Sequence, residues 1–181
     1  MLPTSFTETQ KFKQVWLWLV IIAVVVLEVV TNGKLLFRSH KTNEPGLIVV
    51  AIFAFIIPLL VALLLAIFRL ETKIDETGVY YRFFPYHNKM NKIEWDNIGQ
   101  IFVRKYRPIM EYGGWGVKWG LNGRAYNVSG NMGIQIVFKD GKKLLIGTKN
   151  PEGASDVLAE LTKSALIRDE NNITITIKDR F

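Results

Sequence analysis

From Leu47 to Phe68 the chain runs 22 residues without a charge, and about 20 residues at 1.5 Å each are enough to cross the hydrocarbon core of a bilayer. Such a segment is expected to span a membrane. Phe12 to Val30 reads the same way, with Lys11 and Lys13 at its mouth and Trp16 and Trp18 where aromatic rings favour the interface. The sequence thus predicts two transmembrane helices, about residues 12–30 and 47–68, in a tail-and-hairpin region of residues 1–69. A secretory signal peptide is the rival reading of the first segment, but Glu28-Val29-Val30-Thr31 offers no small-residue cleavage site. The joint from Thr31 to Gly46 is short and polar and carries Asn32-Gly33 and Pro45-Gly46. The helices should therefore be antiparallel neighbours with both chain ends on one side.

That side carries Lys11, Lys13, Arg69, Lys73 and Arg82 near the membrane, against Lys34, Arg38 and Lys41 in the joint. The excess of cations points to a two-pass protein of the cell (inner) membrane with cytoplasmic N- and C-termini. Two residues interrupt the apolar pattern. Glu28 lies about one helical turn, roughly 5 Å, from the joint, so its carboxylate is expected to reach the headgroups. Pro58 falls in a stripe with Ala54, Ala62 and Ala66, a seam of small side chains on which the first helix can pack. Two helices alone make a poor pore.

The chain's 181 residues leave room for one domain beyond the anchor, residues 70–181. The chain's formal net charge is +7, of which +2 precedes Arg69 and +5 lies from Arg69 onward. A mildly basic domain beside a bilayer suits anionic headgroups, each well-placed base contributing about 1 kcal/mol. No pattern of a nucleic-acid-binding motif accompanies the charge, so nucleic acid is not an expected partner. With no cysteine, disulfides, thiolate zinc sites and cysteine nucleophiles are excluded.

Past Arg69 the pattern changes to period two, the mark of half-buried strands. Candidate strands are Leu70–Asp75, Val79–Phe84 after a turn at Glu76-Thr77-Gly78, Met90–Trp95, Gln100–Tyr106, Ile134–Phe138 and Lys142–Ile146. The last two flank Asp140-Gly141, a strong hairpin signal. A helix follows, with Asn150 as N-cap, Pro151 in first position, and Ala154, Val157, Leu158, Leu161 and Ala165 on one apolar face. The fold class expected is a membrane α-helical hairpin plus an α+β domain, a curved antiparallel sheet or barrel capped by one amphipathic helix.

Three segments carry a resemblance: Ile74-Asp75-Glu76-Thr77-Gly78-Val79-Tyr80, Ile93-Glu94-Trp95-Asp96-Asn97-Ile98 leading into Ile101-Phe102-Val103, and Leu144-Leu145-Ile146-Gly147-Thr148 before a helix. They resemble bacterial pleckstrin-homology-like (PH-like) domains. The centre, Tyr112-Gly113-Gly114-Trp115-Gly116 with Ala125-Tyr126-Asn127-Val128-Ser129-Gly130, is similar to a family of bacterial two-transmembrane-helix proteins carrying such a domain at the C-terminus. The resemblance covers about Leu70 to Lys163 and the hairpin arrangement. It implies a PH-like fold and carries over no established activity.

Between Glu111 and Gly133 lie seven of the chain's fourteen glycines. Either a ligand or partner strand lies against this backbone, or the glycines bend and bulge two strands of the sheet. A phosphate-binding loop is excluded, because the Lys-Ser/Thr that follows its last glycine is missing. Arg104, Lys105, Arg107, Lys118 and Arg124 alternate here with Trp115, Trp119 and Tyr126, beside Gly113 and Gly114. Cation and ring together can hold an acidic headgroup, an acidic peptide or a single-stranded polynucleotide, or can form a solvated strand face. These ten residues are the candidate ligand- or partner-binding set.

No nucleophile–base pair, carboxylate dyad or metal-ligand spacing is legible. His40 and His87 fall in separate segments, Glu94 and Asp96 flank Trp95 near a turn, and Ser129 lacks a nucleophile elbow. No cofactor, metal or catalysis is expected. After Asp169–Asn172, the alternation of Ile173, Ile175 and Ile177 predicts an extra strand at about 173–178, docked on its own domain or exchanged in a homodimer. The function expected is a membrane-tethered module binding a protein partner or anionic lipid headgroups. The alternative is an accessory or regulatory subunit of a membrane transport system. Topology is directly testable: a reporter fused after Phe181 should be active only in the cytoplasm and one inserted near Thr42 only outside, and the reverse pattern overturns the orientation.

Overall fold

A computed structural model describes residues 5–42, 45–120 and 123–168; the strand expected at Ile173, Ile175 and Ile177 lies outside them. The chain forms two compact units, one of residues Phe12–Phe68 and one that joins the residues on either side, up to Lys11 and from Arg69.

The first unit is a pair of helices, α1 (Val15–Thr42) and α2 (Pro45–Ile67). Within them Val15–Lys34 and Ile48–Ile67 are long and apolar enough to cross a membrane. The expected seam is present at Ala54, Pro58 and Ala62, which are half-buried, whereas Ala66 is exposed and Leu65 takes its place. Leu17, Trp18, Ile21, Val25 and Glu28 form the corresponding half-buried stripe of α1. Glu28 thus lies on the packing side of its helix. The polar joint expected from Thr31 to Gly46 is instead largely helix, and its first two polar side chains bond back into α1. Asn32 Nδ2 donates to Glu28 Oε2 at 3.0 Å, and Thr31 Oγ1 donates to the carbonyls of Leu27 and Glu28 at 2.9 and 3.2 Å. Turn-forming side chains that bond back into the preceding turn no longer compete with the helix.

The second unit starts before the helices. β1 (Phe6–Lys11) pairs antiparallel with β2 (Arg69–Asp75), from Phe6 opposite Ile74 to Lys11 opposite Arg69. The tail expected at residues 1–11 therefore contains a strand of the domain, and residues 12–68 are an insertion between two neighbouring strands. β3 (Gly78–Phe84) and the short β4 (Asn91–Ile93) complete a four-stranded sheet of order β1-β2-β3-β4. The strand expected over Met90–Trp95 stops at Ile93, since Trp95–Asn97 is a single 3₁₀ turn whose indole donates to the Asp75 carbonyl at 3.1 Å.

The other strands are β5 (Ile98–Lys105), β6 (Gly116–Gly120), β7 (Gly123–Asn127), β8 (Met132–Phe138) and β9 (Lys143–Gly147), with the short helix α3 (Pro108–Tyr112) after β5. They form a second sheet of order β5-β8-β9-β7-β6. The single curved antiparallel sheet or barrel of the sequence reading is thus replaced by two sheets with no closed barrel, and β7 and β9 run parallel. No helical crossover is needed for that pair. Residues 128–131 carry the chain past one strand position, and the Asp140-Gly141 hairpin folds β9 back into the vacant slot between β8 and β7.

α4 (Pro151–Arg168) packs on β1, β2, β5 and β8. Its start is as expected, with Asn150 Oδ1 accepting from the Gly153 amide at 3.0 Å, and Ala154, Val157, Leu158 and Leu161 are buried. β1 is tied across the core by side chains. The Glu8 carboxylate accepts from Thr148 Oγ1 at 2.7 Å and from the Lys149 amide at 2.8 Å, and Gln10 Nε2 donates to the Gly147 carbonyl at 2.7 Å. Hydrogen bonds to a charged group are worth about 1.5–3 kcal/mol each. Glu8→Ala should lower the unfolding free energy of the full chain by about that amount. Thr7→Ala, on the exposed face of the same strand, should change it by less than about 0.5 kcal/mol; denaturant unfolding followed by tryptophan fluorescence measures both.

Candidate functional site

The glycine-rich centre folds as α3 followed by the β6–β7 hairpin. Gly113, in the left-handed region at φ 72°, ends α3, its amide donating to the Ile109 carbonyl, while the Gly114 amide reaches Pro108. Other glycines permit close approach of the chain to itself. A Cβ at Gly120 would stand 2.5 Å from the Glu111 carbonyl oxygen, and one at Gly123 2.2 Å from that of Lys143. Of the two readings of this segment, these positions agree with the one in which glycines shape the sheet.

The ten candidate residues fall into separate groups. Arg104 is held in place, its guanidinium donating to Glu111 at 2.7 and 3.3 Å and to Gln135 Oε1 at 3.0 Å. Lys105 and Arg107 are exposed beside α3, and the Arg107 amide donates to Glu111 Oε1. The Trp115 indole donates to the Gly130 carbonyl at 2.9 Å. Lys118 pairs with Ala125, whereas Trp119 pairs with Arg124, so by strand alternation Lys118 points to the other face from Arg124. Tyr126 shares the face of Trp119 and Arg124 but is buried.

Trp119 and Arg124 remain together, with the guanidinium 5.9 Å from the indole ring centre. They line a cleft of about 740 Å³ with Tyr81, Phe138, Lys142 and Lys143, a size within the roughly 300–1,000 Å³ of small-ligand sites. The last four were missed by sequence reasoning. Tyr81 comes from the other sheet and the rest from the β8–β9 hairpin, brought to Trp119 and Arg124 by sheet packing.

The cleft's charge comes from its cations. Lys142 is paired with Asp140 at 2.7 Å. Among the described residues no carboxylate pairs with Arg124 or Lys143. Burial pushes the Tyr81 hydroxyl up to about 12, with Tyr126 adding to the rise and Arg124 opposing it. Burial likewise raises Tyr126. Both phenols are therefore neutral at physiological pH, and the cleft offers cations, aromatic faces and hydroxyls. Among the described residues no group of three His, Asp or Glu side chains is placed to hold a metal ion.

Behind Tyr126 sits His87. Its ring centre is 5.1 Å from that of Tyr126, 5.6 Å from Tyr81 and 4.8 Å from Tyr86. Its Nδ1 accepts from the Phe83 amide at 3.2 Å, which requires that nitrogen to be unprotonated. In comparisons with known proteins, no family model and no curated protein matches this chain.

Burial holds His87 below its ordinary value of 6.5, so the unfolded chain takes up the proton first as pH falls. Its contribution to stability is complete above pH 6.5 and is lost as pH drops through the lower folded value. The imidazole should titrate by NMR with a midpoint under 6.5, and His87→Phe should flatten the decline in melting temperature between pH 7 and pH 5.

Proposed function

We propose that this chain is a membrane-tethered interaction module without chemistry of its own, acting at the inner face of the cell membrane. In this reading its folded domain is PH-like, and its cleft takes the anionic headgroup of a lipid. The apolar lengths of α1 and α2 support the tether. Two sheets with a C-terminal helix packed on their strands support the PH-like reading, together with the resemblance of Ile74–Tyr80 and Leu144–Thr148. The β1 strand and the parallel β7–β9 pair are additions to that pattern.

The observation that carries the binding reading is the placement of Arg124 and Lys143, free of carboxylate partners among the described residues, around one cleft with Trp119 and Tyr81. A phosphate group entering there would meet two cations and an aromatic wall, and tethering to the same bilayer raises its effective concentration without strong contacts.

A photoreactive benzophenone side chain replacing Phe138 in the full-length protein tests this in native membranes. The expected product is a phospholipid adduct that falls about tenfold or more with Arg124→Glu and Lys143→Glu together, at about 1 kcal/mol per base, and that weakens in high salt. A protein adduct would reassign the cleft to an acidic partner, and copurification of a transporter in that adduct would favour the regulatory-subunit alternative. If no adduct exceeds that from a probe on the exposed face of α4, the cleft is not a binding site.

A further inference from the structure

Among the described residues of the second unit, five large apolar side chains are more than a third exposed: Tyr86, Met90, Ile109, Met110 and Trp119. Tyr86 at 55 % and Trp119 at 59 % are not isolated, since their rings meet edge to face at 6.5 Å. Each stands close to a cation over a ring. Arg124 lies over Trp119 itself, and the Arg69 guanidinium lies 4.9 Å from the centre of Phe84, two residues before Tyr86.

Chain continuity says what this end of the domain faces. Phe84 is the register partner of Arg69, and Arg69 that of Lys11. One residue, Phe68, separates Arg69 from the end of the apolar segment at Ile67, and three separate Lys11 from Val15. A residue reaches at most about 3.6 Å. If α2 spans a bilayer, Arg69 and its strand partners stand at the headgroups, and the turn after Phe84 stands with them. Tyrosine and tryptophan flanked by arginine are the side chains that layer accommodates best. A protein partner fits less well: two rings of about 150–250 Å² each fall short of the roughly 800 Å² a stable interface covers on each side.

We infer that Tyr86 and Trp119, on the Phe84–His87 turn and the end of β6, seat the domain in the headgroup layer of the bilayer that its own helices enter. The inference rests on the reading of α1 and α2 as spans but not on what the cleft holds, because a zwitterionic interface suffices for the seat.

The absence of cysteine allows one fluorophore per molecule. Full-length Asn88→Cys, Leu60→Cys and Glu76→Cys, each labelled, go into nanodiscs of phosphatidylcholine with a nitroxide lipid, spin-labelled near the headgroup for Asn88 and Glu76 and midway down the acyl chain for Leu60. Asn88 is exposed just past the turn, Leu60 lies in α2, and Glu76 is exposed at the opposite end of β2, about 20 Å from Arg69. Leu60 and Asn88 should be quenched at least about threefold more than Glu76, and Tyr86→Ser with Trp119→Ser should bring Asn88 down to the Glu76 level. Quenching at Leu60 but not at Asn88 overturns the seat alone, as does strong quenching at Asn88 that ignores the loss of both rings. No quenching at Leu60 overturns the spans and the seat with them.

Discussion

The pairing of β1 with β2 is the constraint on which the rest of this molecule depends. The two strands are separated in sequence by residues 12–68 and meet in register from Phe6 opposite Ile74 to Lys11 opposite Arg69. Such a pairing requires the two ends of the intervening segment to return to one place, and an antiparallel pair of helices does this by construction. The rings of Phe12 and Phe68, the first and last residues of that segment, lie 6.3 Å apart. β1 then anchors the folded unit, with Phe6 and Gln10 buried and Glu8 bridging to Thr148 and Lys149 just before α4.

The second organising feature is aromatic. Tyr81 and Phe83 of β3, with Tyr86 and His87 of the turn after it, gather around Tyr126 from the other sheet, with ring centres 5.1–6.5 Å apart. Aromatic pairs at such distances add about 0.5–1.5 kcal/mol each beyond simple burial. Packing of this kind joins the sheets without placing a charge between them. The cations are left at the cleft mouth, where Arg124 and Lys143 keep their solvation.

Much of the fold was legible because its signals are local. Alternation located β2, β3, β5, β8 and β9, Asp140-Gly141 located a hairpin, and Asn150-Pro151 located the start of α4. What escaped was governed by distant residues. In β1, two of the three inward positions, Glu8 and Gln10, are polar, so the alternation of hydrophobicity is absent although the strand is real; their partners lie some 140 positions away. Asn32-Gly33 reads as a turn but stays helical because Asn32 finds Glu28 one turn back. The candidate site was half legible. Trp119 and Arg124 are close neighbours in sequence and stay together, whereas Lys118 is turned away by the strand period and Arg104 is committed to Glu111. Tyr81 and Lys143 join the cleft only through sheet packing, which no single-segment pattern carries.

The insertion between β1 and β2 also bears on how the protein is made. β1 leaves the ribosome before α1 and α2 and has no partner until both apolar segments and β2 have been synthesised, so the folded unit cannot close as a simple N-to-C succession of elements. As a flexible chain, residues 12–68 would be a long loop whose closure costs entropy before any strand contact forms. Once they are a helical pair, that closure has already been achieved, and Lys11 and Arg69 meet as near neighbours. The non-local first step of the topology thereby becomes a local one, and the order of folding, helical pair before domain, follows from the connectivity of a single pair of strands.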